Sequence, residues 1–138
     1  MAKIEIHSIP GVMSSVHHVG DYATVDTWSN FYGASLEAFK GLIDAHIAFT
    51  KKQKVLAVVV DSTYATGVMP NAVQKFIQDE VFLRFSKSGI KFFINIKAKS
   101  SLTKLAVDSF SVNAGPAGIT LGEFADVDSA IAWLKKNS

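Results

Sequence analysis

The sequence predicts an α/β domain: a mixed, mostly parallel five-stranded sheet with flanking helices, in the order β-β-α-β-α-β-α-β-α. Three observations carry that prediction. Val55–Val60 (VLAVVV) is a continuous aliphatic run, as in a strand covered on both faces. Segments before and after it repeat apolar residues every three or four positions, the spacing of a helix with one buried stripe. The two patterns alternate along the chain, and such alternation implies parallel strands joined by right-handed helical crossovers.

The chain opens with KIEIHSI (Lys3–Ile9), whose isoleucines alternate with polar residues as in a half-buried strand. Pro10-Gly11 breaks the run, and Val12–Val19 returns as a second strand, so the two are expected to form an antiparallel hairpin. Thr24 or Asp26 is then read as the N-cap of a long helix reaching about Lys52. Its stripe is Phe31, Tyr32, Leu36, Phe39, Leu42, Ile43, His46, Ile47 and Phe49. The strand Lys54–Val60 follows. Asp61–Met69 is a polar loop, and Pro70 suits the first position of a helix, where a missing N–H costs nothing.

That helix runs to about Lys87 with Val73, Phe76, Ile77, Val81 and Phe85 facing inward, and Ser88-Gly89 stops it. Ile90–Ile96 is a further buried strand. Ser100 or Ser101 caps a third helix, through Phe110. Ile119–Phe124 is the last strand, and Asp126 or Asp128 caps a final helix with Val127, Ala130, Ile131 and Leu134 buried.

A chain of 138 residues is the size of one domain, 1–138. It has no cysteine, which excludes disulfides, thiolate metal sites and a cysteine nucleophile. The longest aliphatic run, Val55–Val60, falls far short of the roughly 20 apolar residues that span a bilayer. Met1–Glu5 begins no apolar signal core, so integral membrane association is not expected and the cytoplasm is the expected location. A net charge of +2 is too small to argue for nucleic acid. Small α/β domains often pair, which leaves a homodimer open.

Little in the chain announces chemistry. Phosphate-binding glycine patterns and the Gly-x-Ser-x-Gly elbow are missing, so no cofactor and no catalytic residue is assigned. His17 and His18 are adjacent on a strand and point to opposite faces, which prevents joint chelation. His46 lies on a helical apolar stripe and reads as a satisfied histidine at the core edge; no metal site is assigned.

Two surfaces remain as candidates. In open α/β sheets ligands bind beyond the carboxyl ends of the strands. There lie the loop of Asp61, Ser62, Thr63, Thr66 and Gly67, and the loop of Lys97, Lys99, Ser100 and Ser101. If the two preceding strands are neighbours, hydroxyls, lysines and helix amides converge as a partner- or anion-binding surface. Simple capping by the serines, with solvated lysines, explains the same residues. Arg84, Lys87, Lys91, Lys97, Lys99 and Lys104 form an acid-free stretch, which is usually a solvated face. The second candidate is the aromatic group Trp28, Phe31 and Tyr32, which serves either the core or an apolar ligand.

The element order, VLAVVVD (Val55–Asp61), KFFINI (Lys91–Ile96) and the ending DSAIAWLKK (Asp128–Lys136) resemble the SpoIIAA-like proteins, a STAS/CRAL-TRIO-like group. The resemblance implies a central sheet with helices around it. It also implies a regulatory module working through protein partners, with a phosphorylatable serine in an Asp-Ser-Ser-Gly motif. This chain has DSTYATGVMPN (Asp61–Asn71) in that region, so the phosphoswitch serine is not preserved. The CRAL-TRIO side of the resemblance implies carriage or sensing of a lipid or other apolar ligand. The expected function is therefore non-enzymatic binding, of a protein partner or of an apolar small ligand.

Overall fold

A computed structural model describes residues 3–18, 22–33, 35–67, 70–96 and 119–137. It shows an α/β architecture built on a mixed six-stranded sheet. The strands are β1 (Lys3–Ile9), β2 (Met13–His18), β3 (Ala23–Trp28), β4 (Ala57–Asp61), β5 (Phe92–Ile96) and β6 (Thr120–Phe124). They lie side by side in chain order. β1, β2 and β3 form an antiparallel meander, and β3 through β6 run parallel.

The expected hairpin is present, closed by a bond from Val12 N–H to the Ile9 carbonyl. The expected strand count is corrected from five to six. Thr24 and Asp26, read as helix caps, lie inside β3, where Val25, Thr24 and Thr27 favour the pleated backbone. The long helix begins ten residues later than Asp26, as α1 (Leu36–Thr50) after a 3₁₀ turn at Phe31–Gly33. Its cap is Ser35, whose side chain accepts from Ala38 N–H at 3.2 Å.

The second helical segment is continuous but not uniform. α2 (Asn71–Phe76) passes into a π-wound turn (Ile77–Val81) and then α3 (Phe82–Lys87). Pro70 stands just before it, at the N-cap. All five residues of its predicted stripe are buried. At its end Ile90 N–H bonds the Phe85 carbonyl and Gly89 N–H bonds the Ser86 carbonyl, a Schellman closure. Gly89 makes this possible with φ of +99°. The last helix, α4 (Val127–Asn137), is capped by Asp126, which accepts from Ser129 N–H at 2.8 Å. These hydrogen bonds hold the Asp126 carboxyl below its ordinary range. The third helix expected from Ser100 or Ser101 lies outside the described residues.

Handedness explains the layering. β3, β4 and β5 step across the sheet in one direction, so right-handed crossovers put α1 and the α2–α3 rod on the same face. There Phe39, Leu42, Ile43, Val73, Phe82 and Phe85 bury Val58, Val60 and Phe93. The other face, with Val25, Val59 and Ile94, packs against Ala130 and Leu134 of α4.

Candidate functional site

Two places on this frame gather polar groups. The first lies under α1. Alternate residues of a strand face one way, so Thr24 and Asp26 of β3 share a face. Ser15 of β2 stands directly opposite Asp26, and His17 opposite Thr24. α1 lowers His46 onto this patch. His46 Nε2 lies 2.9 Å from Asp26 Oδ2 and 3.4 Å from Ser15 Oγ. Its Nδ1 lies 3.5 Å from Thr24 Oγ1. Because the carboxylate oxygen accepts, Nε2 carries the proton. The ring also meets Phe85 edge-on, with centroids 5.8 Å apart. His17 donates from Nδ1 to the Ala23 carbonyl at 2.9 Å and packs on Phe49.

A serine, a histidine and an aspartate within reach invite comparison with a hydrolytic triad. The geometry differs. In a triad the acid and the nucleophile take opposite ring nitrogens. Here Ser15 and Asp26 both address Nε2. Thr24 does sit at the other nitrogen, but Ser15, Thr24 and His46 are all sealed from solvent. The cluster ties α1 to the sheet and presents no group to a substrate. One atom in it is unsatisfied: Asp26 Oδ1 is buried and has no hydrogen-bond partner. An unmade hydrogen bond of that kind costs about 1–3 kcal/mol, more for a charged group.

The second place is the loop after β4. Asp61 Oδ1 accepts from Thr63 N–H at 3.1 Å and from Thr63 Oγ1 at 2.6 Å, which fixes the first turn. Thr66 closes the other end: its N–H bonds the Ser29 carbonyl, and its own carbonyl accepts from Phe31 N–H at 3.0 Å. Between them Ser62 and Ala65 are buried while Tyr64 projects, 74% exposed. Gly67 is buried at the end of this loop.

β4 and β5 are neighbours, so the loops that follow them leave the same end of the sheet. Lys97, Lys99, Ser100 and Ser101 lie outside the described residues. Of the basic stretch, Arg84 is engaged: it bonds Glu80 at 2.8 Å and lies over the Phe76 ring. The aromatic candidates separate from the surface. Trp28 is 2% exposed and Phe31 is fully buried, their rings 5.0 Å apart in the core. They turn inward because Trp28 ends β3 on its α1-covered side and the 3₁₀ turn then folds Phe31 beneath it. Of Tyr32 only the backbone is described.

Among the described residues no three His, Asp or Glu side chains gather as a metal site, and no helix is long and apolar enough to cross a membrane. Asp26 and Tyr64 were not singled out from sequence as an internal anchor and an exposed tip. The density of β-branched residues in ATVDTW (Thr24, Val25 and Thr27) was the available signal for Asp26; Tyr64 carried none.

No protein-family model matches the chain, and no curated protein matches it at a significant level.

Proposed function

We propose that the chain is a non-enzymatic binding module of the SpoIIAA-like kind that docks a protein partner on the Asp61–Gly67 loop. One observation carries this reading: Tyr64 is 74% exposed on a loop that is bonded at both ends. Tyrosine is enriched among residues that anchor protein interfaces. A loop already held in shape loses little conformational freedom on binding, which favours affinity. The loop also leaves the carboxyl end of a parallel strand, where α/β frames carry their binding residues.

The apolar-ligand reading draws less support. The space beside Trp28 is ≈ 30 Å³, whereas pockets for organic ligands run from about 300 Å³ upward.

The test is site-specific photo-crosslinking in the native cell, with the photoreactive residue at position 64 and, as control, at Leu83, which is also exposed. A discrete adduct from position 64 and none from position 83 is expected. Tyr64→Ala and Thr66→Glu should each lower co-purification of that same adducted protein at least tenfold. Equal labelling from both positions, or recovery unchanged by both substitutions, rejects the loop as the docking surface.

A further inference from the structure

The two ends of the parallel strands differ in charge. At the amino end a hydrogen-bonded row crosses the sheet. Leu56 N–H bonds the Tyr22 carbonyl at 2.7 Å, Lys91 N–H bonds the Leu56 carbonyl at 2.8 Å, and Thr120 N–H bonds the Lys91 carbonyl at 2.9 Å. Lys54 enters this row with its ammonium 5.3 Å from the centre of the Tyr22 ring. α1 ends beside it at Thr50, and Lys51 and Lys52 follow. α3 ends with Lys87, just before the turn that leads into Lys91. α4 starts at the other end of the sheet, after β6, and returns across it. Trp133 thereby meets Phe92, the first residue of β5, and Lys135 and Lys136 come next. All seven of these lysines are exposed. Among the described residues Glu5 is the acid that approaches them, sharing a groove with Lys52. Asp61, Glu123, Asp126 and Asp128 lie at the carboxyl end, as does Glu37 in the first turn of α1.

We propose that this lysine-rich end is a docking surface for an anionic lipid bilayer. Helix dipoles do not account for the whole cluster. A helix C-terminus carries about half a negative charge, so three of them offset roughly 1.5 positive charges. Lys52, Lys54 and Lys91 also stand outside any helix. The chain's net charge is only +2, but its polarity matters more than the total. A five-residue strand spans about 16 Å. Screening at physiological salt acts over ~8 Å, so a bilayer met by the lysines is shielded from the acids at the far end. The residue types favour a bilayer over a nucleic acid. Every base in the cluster is a lysine, whereas arginine supplies the planar fork that grips phosphates and base edges. Lysine is a flexible point charge, suited to headgroups that diffuse laterally to meet it. Tyr22, 40% exposed, and the half-buried Trp133 add rings of the kind enriched where membrane meets water. The Asp61–Gly67 loop lies at the opposite end of the sheet and stays free when the lysines are engaged.

The test is co-sedimentation of the full chain with vesicles of phosphatidylcholine, alone or mixed with phosphatidylserine or phosphatidylglycerol. Binding to both anionic mixtures and none to phosphatidylcholine alone is expected. A lysine beside an anionic bilayer contributes about fivefold in affinity, so Lys54→Gln with Lys91→Gln should weaken binding about 25-fold. Lys135→Gln with Lys136→Gln should weaken it by a similar factor. Lys40→Gln with Lys75→Gln removes the same charge from the flank formed by α1 and α2 and should change binding less than about twofold. Failure to bind either anionic mixture, equal binding to phosphatidylcholine alone, or an equal loss in the Lys40 and Lys75 variant overturns the proposal. So does tighter binding of mixed-sequence duplex DNA than of the vesicles through the same lysines, which would assign the surface to nucleic acid.

Discussion

His46 Nε2 meets Asp26 Oδ2 at 2.9 Å with both side chains buried, so the middle of α1 is pinned to β3 through one charge-assisted contact. Removing one partner of such a pair leaves the other buried and uncompensated, at a cost of about 3–5 kcal/mol. His46→Leu and Asp26→Leu should each destabilise by about that amount in urea denaturation. The double variant should lose less than their sum, with a coupling of about 0.5–3 kcal/mol. Additive losses would mean that the two side chains act independently.

Two glycines should fail for different reasons. A Cβ on Gly33 would lie 2.6 Å from Val12 Cγ2, a steric overlap. Gly33→Ala is expected to cost about 1–3 kcal/mol, with partial recovery when Val12→Ala is added. Gly89 has open space around it, but its φ of +99° disfavours any L side chain. Gly89→Ala should cost about 1–2 kcal/mol. Trimming neighbours should not restore it. Thermal melting of the single and double variants separates the two mechanisms.

The cap on α4 sets a pH dependence. The bonds that Asp126 accepts from Ser129 lower its folded pKa below the ordinary 3.8. A lowered folded pKa means that the contribution is fully present above 3.8 and is lost as pH falls through the folded value. Asp126→Ala should therefore be less stable than the native chain near neutral pH. The charge-dependent part of the difference should shrink in increasingly acidic buffer and vanish once Asp126 is protonated in both the folded and unfolded chain. A difference that stays constant from neutral to strongly acidic pH would assign the cap no charge-dependent part.

Much of the frame was legible in the chain. The stripe Val73, Phe76, Ile77, Val81 and Phe85 is buried as its spacing predicts. The expectation that His46 is a satisfied histidine at the core edge agrees with its bond to Asp26, though the residue is buried more deeply than an edge position. β3 was not legible, because Thr24 and Asp26 are good helix caps locally and their burial depends on a histidine twenty residues away. A buried polar residue breaks the apolar alternation by which strands are recognised, so tertiary contact overrides the local signal. The π-wound turn at Ile77–Val81 left no mark that propensity records. The candidate surface divides likewise. Hydroxyls and an acid at Asp61–Thr66 were visible as composition, but the strap from Thr66 to Ser29 joins distant parts of the chain.

The chain-order sheet bears on how the molecule reaches its native state. Each strand pairs with the strands next to it in sequence. β1 and β2 pair across a short turn, whereas the parallel partners lie far apart in the chain, as Ala23 with Ala57 and Ala57 with Phe92. Long-range parallel pairing is slow, because the loop must close before its contacts can offset that cost. The first hairpin can therefore form early, while the His46–Asp26 contact locks only once β3 and α1 are both formed.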